Sequence, residues 1–153
     1  MTSSSPSLNT APVSEDLFFA EQLLIDAVRD GVPDLVRVGG YTDLPTTIET
    51  AGATPAAFIV YEGSGKSRQA VPGAAHMAQY WTVAVLVRKA DGKGGEQRAL
   101  AGPLLSQIGH TLIGKRLPGC RPLSLLQGPS VAYYPGGQAV FYLTFELAGP
   151  FLA

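Results

Sequence analysis

Cysteine is almost missing from this chain: Cys120 is the one example among 153 residues. That excludes an internal disulfide and fits a reducing compartment. Charge is scarce as well. Asp, Glu, Lys and Arg make up 15% of the residues, 11 basic against 12 acidic, for a net charge of -1. A dedicated nucleic-acid binder carries a basic excess, which is lacking here. Histidine occurs at His76 and His110 only. Two distant histidines and one cysteine do not compose a metal site. No apolar run reaches the ~20 residues that a membrane helix needs. The opening "MTSSSPSLNTAPVS" has neither a basic cluster nor an apolar centre, so it does not read as a signal peptide. Residues 1–13 are expected to be a disordered lead-in of small polar residues and prolines, followed by a domain over 14–153.

Apolar residues, at 46%, are plentiful. A chain of this length buries roughly two-thirds of its unfolded surface, enough for a core without staples. With so few charges, the surface must be poor in charge or partly covered by a partner.

Helix and strand periods alternate along the sequence. Ser14 suits a helix N-cap, and Glu15 and Asp16 suit the positive end of the helix dipole. Leu17, Ala20, Leu24, Ala27 and Val28 form one helical stripe, which Asp30-Gly31 and Pro33 terminate. Phe18 and Ile25 sit off that stripe, with Glu21 between the two apolar surfaces. Either the core face is wide, or a second strip touches another molecule. "LVRVGG" (35–40) reads as a short strand and "AAFIVYE" (56–62) as a central one, apolar on both faces. Residues 63–77 show no period and read as a long loop. In "QYWTVAVLVR" (79–88), Trp81, Val83, Val85 and Val87 point one way and Tyr80, Thr82, Ala84 and Leu86 the other, so this segment pairs with 56–62 as an antiparallel hairpin. Leu100, Leu104, Leu105, Ile108 and Leu112 mark a second helix, which Gly102-Pro103 either begins or kinks. "LSLLQG" and "SVAYYPGG" read as two short strands, and "AVFYLTFEL" alternates cleanly. The fold class expected is α+β: an antiparallel or mixed sheet of four to six strands with two main helices on one face.

The stretch "YEGSGKSRQAV" invites a phosphate-loop reading, because Gly65-Lys66-Ser67 follows a strand. A phosphate loop needs an earlier glycine, and that place is Val60. It also needs a helix after the lysine, and Pro72-Gly73 follow instead. Ser64, Ser67, His76, Asp43 and Asp91 compose no nucleophile elbow. Cys120 has no neighbouring base to activate it. No cofactor is expected. Lys66 and Arg68 read as a hairpin tip. Arg88 and Lys89, with Lys93, read either as a solvated rim or as an interaction patch.

The order of segments resembles a known family. After the first helix come "VRVGGYTDLP" and "PAAFIVYEG"; a loop leads to "QYWTVAVLVRKAD"; the helix "GGEQRALAGPLLSQIGHTLIG" precedes "RLPGCRPLSLLQG"; the chain closes on "AVFYLTFELAG". This pattern, over about residues 17–149, is similar to the tail terminator, or tail-completion, proteins of tailed bacteriophages. The resemblance implies an α/β subunit that closes into a ring, typically a hexamer. Such a ring caps the finished tail tube, stops its growth, and offers a surface to the head connector. Its partners are then copies of itself, the tube protein and a head-completion protein, with no specific nucleic-acid binding, membrane or chemistry. It is located at the head-proximal end of the tail in the virion, after assembly in the host cytoplasm. A ring needs two different patches that meet, and the residues expected at subunit or tube contacts are Phe18, Ile25, Lys66, Arg68, His76, Arg88 and Lys89. The alternatives are a head–tail connector or stopper, or a non-viral α+β ligand-binding domain, which would show an apolar pocket with converging polar groups.

Overall fold

The computed structural model describes residues 16–40, 52–66, 75–89 and 94–152. The lead-in, the Ser14 cap and most of the 41–55 loop lie outside them. The elements are α1 (Ala20–Gly31), β1 (Arg37–Gly40), β2 (Ala56–Lys66), β3 (Ala75–Arg88), α2 (Gly94–Leu112), β4 (Ser124–Tyr134) and β5 (Gln138–Leu152). They build a mixed five-stranded sheet in the order β1-β2-β3-β5-β4. β1 runs parallel to β2; every other neighbouring pair is antiparallel. Both helices pack on one face, so the α+β expectation holds.

The entry to α1 differs from the one expected. The Asp16 carboxylate accepts the Phe18 N–H at 2.9 Å, and regular helix begins only at Ala20. α1 turns Ala20, Leu24, Ile25 and Val28 inward. Ile25, named among the expected contact residues, is thus a core residue, and of the two readings of this helix the wide core face holds for it: the inward arc takes positions four and five residues on from Ala20. α2 contributes Ala101, Leu104, Ile108 and Leu112 to the same core, and the helix runs through Pro103. Pro103 is exposed, so the hydrogen bond that its ring removes is lost on the solvent side. Leu100, expected on the inward stripe, is exposed as well. Gly114, at φ +82°, takes the left-handed turn after α2, and its N–H donates to the Leu123 carbonyl at 2.8 Å.

β3 and β5 form the spine of the core. Trp81, Val83, Val85 and Val87 face the helices beside Phe141, Leu143, Phe145 and Leu147, as their alternation predicts. Each large side chain so buried contributes about 1.5–3 kcal/mol. The opposite face is also apolar at its centre, where Ala84, Leu86 and Val140 are buried under Tyr134 and Tyr142. Burial raises the ionisation of Tyr142 above the usual phenol range, and its hydrogen bond to Tyr134 and the nearby Glu62 carboxylate add to the effect.

Two expectations are corrected. The loop expected over 63–77 is strand at both of its ends: β2 continues to Lys66 and β3 starts at Ala75, paired as far as Lys66↔Met77. A register shift between Tyr61 and Gly63, with Gly63 at φ +125°, absorbs the glycine run, and a backbone ladder needs no side-chain period to resume. The two short strands expected around Gly128-Pro129 are one strand, β4. Its pairing with β5 slips between Leu125 and Gln127 and again between Gln127 and Ser130. An edge strand tolerates Pro129 because its outer side owes no ladder bond.

Candidate functional site

β4 is where the fold leaves work undone. It has 11 residues and none of them is buried, whereas every other element supplies side chains to the core. Along it Leu125, Leu126, Val131 and Tyr133 are exposed, with Leu126 at 53% and Tyr133 at 48%. Leu100 and Ile113 of α2 are exposed as well. Between β4 and α2 lies an apolar hollow of about 310 Å³, walled by Gly102, Leu105 and Gly109 on the helix and Leu125 and Pro129 on the strand, with Leu143 at its floor. At one end of β4 the Arg98 guanidinium donates to the Tyr133 hydroxyl at 3.0 Å. At the other, Arg121 is held by its own N–H, which donates to the Ala148 carbonyl at 2.9 Å.

The opposite end of the sheet is built from α1, β1 and β2. Phe18 is 45% exposed and meets the Tyr61 ring edge-on, centroids 4.9 Å apart; Tyr61 in turn lies 5.1 Å from Trp81. Under this aromatic step sits a buried relay. Trp81 Nε1–H donates to Gln79 Oε1 at 3.1 Å, and Gln79 Nε2–H donates to the Leu17 carbonyl at 2.7 Å, tying the entry to α1 onto β3. Leu23 and Val36 are exposed on the same flank.

Of the residues singled out from the sequence, Phe18 is at the surface and Ile25, in the core, is not. His76, read as a loop residue, lies on β3 paired with Pro150. It lines a hollow of about 450 Å³ together with Arg116, Cys120, Arg121 and Gly149. Cys120 is buried, and burial pushes its thiol up to about 11. Arg88 and Lys89 are exposed where β3 ends. There the Lys89 N–H and the Gln97 side-chain amide both donate to the Gly137 carbonyl, at 3.0 and 2.9 Å, fastening the β4–β5 turn to β3 and to α2. Lys66 closes β2 in the ladder; Arg68 lies outside the described residues, as does the Lys66 side chain. The structure therefore brings His76 together with Arg116 and Arg121, and leaves Phe18 and Arg88 on separate parts of the surface.

A phosphate cradle is not formed at Gly65-Lys66, since both residues are extended and paired with Ala78 and Met77. Among the described residues no group of three or more His, Cys, Asp or Glu side chains gathers as a metal site. The apolar residues of β4 escaped the sequence reading, although a signal was present: "SLLQGPSVAYY" has apolar residues at both parities and a proline inside. A strand of that kind sits at an edge, with one flank and much of both faces open.

Comparison with known proteins gives one family and two solved structures. Residues 14–150 match the family model described as phage tail terminator protein. One solved structure with a similar outline is a chain from the virion of a native gene transfer agent particle, 12% identical, covering 87% of this chain and 88% of that one, with a TM-score of 0.49. A second is 14% identical, covers 92% of this chain and 98% of its own, and has a TM-score of 0.46. No curated protein matches.

Proposed function

The chain belongs to the phage tail terminator protein family, and from that premise we propose that it is the subunit of a closed ring that seats on the end of a completed tail tube. The ring blocks addition of further tube protein and presents its other side to the head connector. It works by fit, without a catalytic step or cofactor. The observation that carries this reading is β4: a strand of 11 residues with no buried side chain, apolar in composition, on the open edge of a sheet. Exposed apolar area is stabilised when covered, at about 25 cal/mol per Å², and a patch of this kind marks a contact surface. Phe18, Arg88 and Lys89 lie outside it and are available to the tube or the connector.

The test pairs light scattering after size exclusion with negative-stain imaging of the purified protein and of tails assembled with and without it. Rings of one size are expected, together with tails that overrun their length and fail to join heads when the protein is left out. Tails of normal length that lack only heads would reassign it to head–tail connection.

A further inference from the structure

The net charge of -1 conceals a strong segregation. Nine of the 12 carboxylates lie in the first 62 residues, alongside just two cations, Arg29 and Arg37. Residues 63–153 hold the other nine Lys and Arg against three acids. From residue 97 to residue 145 there is no Asp or Glu, while Arg98, Lys115, Arg116 and Arg121 fall in that span. Among the described residues the fold places Asp16, Glu21, Asp26, Asp30, Asp34 and Glu62, with Arg29 and Arg37, at the α1, β1 and β2 end of the sheet, and Arg98, Lys115, Arg116 and Arg121, with Glu96 and Glu146, on or beside α2, β5 and β4. Among the described residues a hollow where Asp26 and Asp30 share walls with Lys115 and Arg116 brings the two ends' charges near each other. Even there Asp26 pairs with Arg29 instead, at 3.3 Å. Among the described residues Asp30, Asp34, Glu62, Arg116 and Arg121 form no ion pair, and all five are exposed.

We propose that the acidic α1–β1 flank of one copy docks on the basic and apolar α2–β4 flank of the next. This rests on the ring reading and names the surfaces that close the ring. Two different patches meeting head to tail is the heterologous geometry that a ring requires. The flanks match in both respects: exposed Leu23 and Val36 stand among the acids, and exposed Leu126 and Val131 stand between Arg98 and Arg121. Opposite signs fix orientation and speed encounter, while the apolar strand supplies the area that stays buried. Nucleic acid is the less favoured occupant of the basic flank, because half-exposed leucine and valine fill its middle.

The test reverses one flank at a time. Arg98→Glu with Arg121→Glu makes both flanks acidic; Asp30→Arg with Asp34→Arg makes both basic. The changes are tolerable locally, since Arg at 30 suits the end of α1 and Glu at 98 suits the start of α2, and melting curves check that both variants fold. By analytical ultracentrifugation the wild type should assemble at low salt and weaken by ~0.5 M, where screening shortens to a few ångströms. Each variant alone should associate at least ~10-fold more weakly at low salt. An equimolar mixture of the two should recover assembly, because every contact in an alternating ring is then complementary. If both variants assemble like the wild type, or the mixture fails to recover, the flank assignment falls while the ring stands. If the basic-flank variant assembles normally but loses retention of duplex DNA, that flank serves nucleic acid and the assignment falls too. A wild type that is monomeric at both salt concentrations takes down the ring reading and this inference together.

Discussion

Gln79 ties the entry of the first helix to the sheet. It is buried, and its amide is engaged from both ends, accepting from Trp81 and donating to the Leu17 carbonyl. Gln79→Leu keeps the volume and strands both partners, so it should cost about 2–3 kcal/mol, read as a lowered urea midpoint with an unchanged slope. Cys120 offers a pH-dependent test. Its thiol moves from 9.0 to about 11 because the neutral form is the one that burial favours. The folded state therefore holds its proton longer than the unfolded state. The corresponding stability is complete below about pH 9 and is lost as pH rises towards 11. Melting temperatures of the wild type and Cys120→Ala should converge between those limits, and a thiol reagent at neutral pH should modify Cys120 only as the protein unfolds.

At the scale of elements, the contact between the two helices turns on a small residue. A Cβ placed on Gly31 would come within 2.5 Å of Thr111 Oγ1 and 3.1 Å of Thr111 Cβ, and that hydroxyl is already committed to the Gln107 carbonyl at 2.7 Å. Helix propensity alone favours alanine over glycine by up to about 1 kcal/mol. The clash should win, with Gly31→Ala destabilising by about 1–2 kcal/mol, and Gly31→Ala with Thr111→Ala should recover most of that in a thermal melt. Regular periods made much of the fold legible. The alternation of 79–88 and 139–147 named the two faces of β3 and β5, and the stripe Leu104, Ile108, Leu112 oriented α2. Backbone-only features were not legible. The bulge at Gly63 lets a strand cross a glycine run that carries no pattern, and β4 passes through Pro129 because its open side makes no demand on it. Spacing left Ile25 open between core and surface, and it is buried, since the inward arc of a helix packed on a sheet spans more than one line of side chains. The surface residues were least legible of all. Nothing in a linear period separates Leu104, in the core, from Leu126, in solvent, until strand order is known.

For the whole molecule, stability and assembly should separate. Leu126→Ser with Val131→Ser removes apolar surface that the lone subunit does not bury, so the melting temperature of the dissociated protein should stay within a few degrees, an effect of about 0.5 kcal/mol or less. The same pair should lower the fraction of ring in a sedimentation profile if β4 is the covered edge. The two register slips in β4 carry a further consequence. An uninterrupted edge would let strangers add strand to strand without limit, the route by which exposed sheets seed fibres. With its peptide groups out of step around Gly128 and Pro129, this margin cannot serve as a template for such growth, and recognition is left to side chains, which discriminate. A subunit with such an edge can accumulate at high concentration without growing into fibres.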